Sequence, residues 1–74
     1  MPRYFFNIRD GVDLIDHDGT EMRSEAEARS QAIALVGACI GEMGDKFWTH
    51  DGDWLLEVSD EAGTVLFALK FAAV

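Results

Sequence analysis

The sequence predicts an α+β fold: a single helix packed on a three- to four-stranded antiparallel sheet, in the order β-β-α-β-β. Three observations carry this. Stretches near both ends alternate apolar and polar residues with period two. A central stretch repeats apolar residues at helical spacing behind a capping serine. Short acidic-glycine dipeptides separate these pieces. No linker, repeat or low-complexity segment interrupts the chain, so residues 1–74 read as one domain.

"RYFFNIR" is the first strand, with Tyr4, Phe6 and Ile8 on one face and Arg3, Asn7, Arg9 and Phe5 on the other. Asp10-Gly11 suits a tight reversal, after which "VDLID" returns as a short second strand ended by "DHDG". Ser24-Glu25-Ala26-Glu27 has the form of a capping box. The serine oxygen accepts from the Glu27 amide while the Glu27 carboxylate reaches back to the serine amide. The helix runs from there to about Met43, and Gly44 ends it in a left-handed conformation. Ala28, Ala32, Ile33, Leu35, Val36, Cys39, Ile40 and Met43 form its apolar stripe. "DWLLEVSD" and "TVLFALKF" are the last two strands. Trp54, Leu56 and Val58 share one face of the first, and Val65, Phe67, Leu69 and Phe71 share one face of the second. The intervening "DEAG" makes them an antiparallel hairpin.

A chain of 74 residues buries only about 60–65% of its unfolded surface, so a metal, disulfides or a partner commonly reinforces such a domain. Cys39 is the only cysteine, which excludes an internal disulfide and points to a reducing, cytoplasmic setting. The start of the chain lacks the pattern of a secretory signal, and no apolar run reaches the length of a bilayer span. The net charge of −8, from 14 acids against 6 bases, repels phosphate backbones and anionic lipid. Neither nucleic acid nor a membrane is expected as a partner.

The tripeptide His-Asp-Gly occurs twice, at His17-Asp18-Gly19 and His50-Asp51-Gly52. A calcium loop needs an acid at its first position, where the first copy offers Leu14 and the second Phe47. A zinc site would require the two turns to meet in space. Asp-Gly is a preferred turn dipeptide and recurs at Asp10-Gly11, so the tripeptides read as punctuation, with no metal and no cofactor implied. No nucleophile elbow or phosphate loop is present, and Cys39 falls within the apolar stripe, where a thiol is inert. The chain therefore reads as a non-enzyme.

Binding surfaces are the remaining candidates. Phe5, Leu55, Leu66 and Ala68 are expected on the outer face of the sheet, where a contiguous apolar patch suggests a protein partner or a second copy. Ser30, Ala34, Gly37 and Gly41 form a smooth helix back, a rival interface or simply a solvent face; each interior glycine there costs about 1 kcal/mol relative to alanine. Phe47, Trp48, His50 and Trp54 gather on the loop over residues 47–54. They serve either to receive a small ligand or to close the end of the core. The leading expectation is a non-enzymatic protein-interaction module that self-associates. The alternative is a small-ligand-binding or stress-associated regulatory protein using the aromatic loop.

The opening "MPRYFFNIRDG", the "DHDGTE" ahead of the helix and the closing "VSDEAGTVLFALKF" resemble a family of short uncharacterised bacterial proteins classed as a domain of unknown function. Its members open Met-Pro-Arg-Tyr-Phe-Phe and end in an acidic-glycine hairpin. They carry acidic residues near position 17, which argues further against a metal role for His17. The resemblance implies a small, bacterial, cytoplasmic domain and carries no catalytic or ligand residue.

Overall fold

A computed structural model describes residues 2–9, 13–49 and 52–74. The expected reversal at Asp10-Gly11, together with His50 and Asp51 of the second tripeptide, lies outside the described residues. Strands β1 (Arg3–Arg9), β2 (Asp13–Leu14) and β3 (Thr20–Glu21) precede the helix α1 (Glu25–Met43). A 3-10 segment (Gly44–Thr49) and strands β4 (Trp54–Ser59) and β5 (Val65–Phe71) follow. One helix thus packs on a five-stranded antiparallel sheet of order β2-β1-β4-β5, with β3 also paired to β1.

The register reproduces the alternation read from the sequence. Phe6, Val58 and Phe67 lie in one row, and Ile8, Leu56 and Leu69 in the next. These rows face the helix, whose fully buried Ala28 and Ala32 join Leu56 and Val58 in the core. Alanine at the contact lets the helix sit close to the sheet. Tyr4 and Met22 complete the buried cluster.

Three local features depart from expectation. The second strand, expected over residues 12–16, is among the described residues only the pair β2, which opposes Ile8 and Arg9; an unforeseen strand, β3, opposes Arg3 and Tyr4, and residues 15–19 bulge between the two. Ser24 caps the helix as expected, its hydroxyl accepting from the Glu27 amide at 3.2 Å, but the Glu27 carboxylate accepts from the Arg23 amide at 3.4 Å. Its ion pair with the Arg23 guanidinium, at 3.3 Å, draws it one residue further back. Ile33, expected within the apolar stripe, is 66% exposed because it sits at the flank of that stripe, past the row that meets the sheet.

The β4–β5 hairpin turns on Asp60, whose Oδ1 accepts from the amides of Ala62 and Thr64, each at 3.0 Å. Beyond it the register slips: Val65 opposes Ser59, but Phe67 opposes Val58. Leu66 is the extra residue of this bulge. A bulge puts successive side chains on one side, so Leu66 joins Phe67 on the helix-facing side and packs against the core, while Val65 is left 50% exposed.

Candidate functional site

The outer face of the sheet does not carry the apolar patch that the sequence suggests. Leu66 is withdrawn from it by the bulge and packs on the core. Phe5 is half-buried, with the backbone of Gly19 closed down on its ring. Leu55 and Ala68 remain outward, but the register sets Leu55 between Arg9 and Lys70, and Ala68 beside Glu57. Arg9 bonds both Glu57 and Asp13, and Lys70 bonds Asp53 at 2.9 Å, so this face is laced by ion pairs. The Arg9 guanidinium is held above its ordinary pKa chiefly by its hydrogen bond to Glu57 and the charge of Asp13.

The helix back is bare. Ser30, Ala34, Gly37 and Gly41 are all exposed, and a Cβ added at either glycine would meet nothing within 4 Å. Nothing within the protomer requires glycine there.

The aromatic loop divides. Phe47 is buried and stacks on Phe71 at 6.3 Å, and Trp54 also stacks on Phe71, at 5.8 Å, so these three close the end of the core. Trp48 meets Phe47 edge-on at 6.4 Å and is 71% exposed. His50 lies outside the described residues. Beside the stack is a shallow depression of about 320 Å³ lined by Cys39, Glu42, Met43, Lys46 and Trp54. Cys39 is half-buried there rather than sealed in the core.

The first His-Asp-Gly tripeptide is a turn built on Asp16. Its Oδ1 accepts from the amides of Asp18, at 3.2 Å, and Gly19, at 3.0 Å, and its Oδ2 accepts from Phe6 at 3.2 Å. Partial burial pushes the Asp16 pKa up, but these three amides and the nearby His17 outweigh it and hold the carboxyl below its ordinary value. His17 is exposed. Among the described residues, no three His, Cys, Asp or Glu side chains converge as a metal would require.

The two edges of the sheet are built differently. One is the broken pair β2 and β3, two residues each, flanked by Asp13 and Glu21, with the Phe6 amide taken by Asp16. Leu14 and Ile15 are exposed on it, but the strand there is too short to template another. The opposite edge is β5, seven residues long, six of them apolar, and paired among the described residues only with β4. Along it runs a groove of about 190 Å³ formed by Arg29, Ile33, Phe67, Ala68 and Leu69. Periodicity does not disclose this edge. The available signal is that β5 carries only one charge, Lys70, where charged side chains are a common means of blunting an edge strand.

Among the described residues no helix is long and apolar enough to cross a membrane. No curated protein and no solved structure matches the chain. A family profile does match, over residues 3–72, nearly the full length. The chain belongs to that family, a domain of unknown function designated DUF6894.

Proposed function

We propose that this chain is a non-enzymatic protein-interaction module of the bacterial cytoplasm, binding its partner along the β5 edge. The observation that supports the reading is the contrast between the two edges: one is blunted by short strands and charge, and the other is long, apolar and open. Unpaired strand edges of this kind accept another strand, whose main chain supplies the hydrogen bonds and whose side chains fill adjoining grooves. The net charge of −8 speaks against nucleic acid and anionic membranes as partners. The single cysteine suits a reducing compartment.

The test is a photo-crosslinking residue placed at Ile33 or Val65, with Ala38 on the opposite flank of the helix as control. In native lysate, discrete protein adducts from positions 33 and 65 and none from 38 are expected. Adducts at equal yield from all three, or from none, would sink the reading.

A second reading, a small-ligand-binding or stress-associated regulator, draws on the depression beside Trp54 and on exposed Trp48. Its volume is at the lower limit of ordinary ligand pockets, roughly 300–1,000 Å³. Titration of a metabolite library against tryptophan emission tests it, and a uniformly flat response removes it.

A further inference from the structure

We infer that the occupant of the β5 edge is a second copy of this chain, paired antiparallel through β5 to give one continuous sheet across a two-fold axis at Leu69. This rests on the protein-interaction reading and names its partner.

Charge distribution selects the occupant. None of the 14 acids lies between residues 62 and 74. Two copies at −8 repel over most of their surfaces, and β5 is where that repulsion is least. The two cations at the edge are already matched within the protomer, Arg29 to Glu25 at 2.8 Å and Lys70 to Asp53 at 2.9 Å. A strongly charged peptide thus finds no free counterpart here, whereas a neutral apolar strand does. β5 is itself such a strand.

Register selects the axis. The bulge at Leu66 leaves Phe67 to Phe71 as the regular run of β5, and Leu69 is its middle residue. A two-fold axis at Leu69 sets Phe67 opposite Phe71 of the second copy, both on the helix-facing side. It sets Ala68 opposite Lys70 of the second copy, both on the outer side. Ala68 lies beside Glu57 in its own sheet. The small alanine therefore leaves room for the aliphatic stem of the incoming lysine, whose ammonium stays on Asp53 of its own copy, and symmetry repeats that contact. On the helix-facing side each groove meets its symmetry mate, and Ile33, 66% exposed in the protomer, gains an apolar neighbour. One isologous contact thus closes the open edge, as two-fold dimers commonly do.

The experiment is sedimentation equilibrium of the full chain over a concentration series. A mass of twice 8.2 kDa is expected for the wild type, with Ile33→Glu and Ala68→Arg each shifting the dissociation constant at least tenfold toward monomer. Both positions are exposed, and circular dichroism shows that each variant stays folded. The axis is read in a Cys39→Ala background: Ala68→Cys mixed with Lys70→Cys gives a mixed disulfide under mild oxidation, faster than either variant alone. A wild type that stays monomeric at every concentration overturns the inference. So does a dimer indifferent to both edge variants but broken by Gly41→Glu or Leu55→Glu. If the wild type is monomeric yet crosslinks from positions 33 and 65 to a different protein, self-pairing falls while the interaction reading stands.

Discussion

Asp16 stands in for a missing strand residue opposite Phe6. Where β2 and β3 leave a gap, its Oδ2 accepts the Phe6 amide at 3.2 Å, and the Asn7 side-chain oxygen accepts the Asp16 amide at 2.9 Å. A side chain from the bulge thereby supplies part of what a continuous strand would have given β1.

Asp16→Ala leaves three amides without that acceptor, and the cost is about 1–3 kcal/mol, since an unmet partner loses its full compensation. Urea unfolding at neutral pH measures it. An unchanged midpoint means the carboxylate does not hold the gap.

The same group predicts an acid limb of stability. Its folded pKa is below the unfolded value, so its contribution is present above the ordinary carboxyl value of 3.8 and is lost as pH falls through the lower folded pKa. The stability difference between wild type and Asp16→Asn, followed by urea titration, should therefore shrink as pH falls below about 4. A difference that is constant down to strongly acid pH contradicts this.

Gly19 and Gly63 both have positive φ, +72° and +84°, yet substitution should not cost the same. A Cβ at Gly19 would come within 2.8 Å of Arg3 Cγ and Phe5 Cε2, whereas at Gly63 it would meet nothing within 4 Å. Gly63→Ala should cost about 1 kcal/mol through backbone conformation alone, and Gly19→Ala at least twice that. Thermal unfolding ranks them, and equal losses would count against the close packing over Phe5.

Gly37→Ala and Gly41→Ala should each raise stability by up to about 1 kcal/mol, because both glycines are helical with open space beside them. Neither change should alter the oligomeric state. Weakened association on substitution at these positions would return the interface to the helix back.

Acrylamide, a neutral quencher indifferent to the charge of −8, should reach Trp48 far more readily than Trp54, which lies in the stack with Phe71. Trp48→Phe should therefore remove most of the quenchable emission. Persistence of strong quenching in that variant would mean Trp54 is open.

Much of the fold was legible because local periodicity reports which side chains must leave water. Tyr4, Phe6 and Ile8 met Leu56 and Val58 as their alternation requires, and Ser24 and Gly44 bound the helix where capping chemistry places them. The candidate site was less legible. Leu66 was read onto the wrong face because a single extra residue reverses the parity of everything before it, and a bulge leaves no mark in alternation. Ile33 was read into the stripe because a helical wheel gives an angle but not the width of the surface that meets it.

By itself, then, the sequence determined that one helix covers an antiparallel layer, and most but not all of the residues that line its core. Both follow from spacings of two to four residues, within the reach of local sterics and solvation. Only the tertiary structure decided that β5 is the open edge, that Asp16 mends the opposite one, and that ion pairs break up the outer face. Those outcomes depend on pairings such as Arg9 with Glu57 and Glu57 with Ala68, which join distant parts of the chain. No local pattern carries strand order, because it is set by which long-range contacts best offset the entropy of closing the intervening loops.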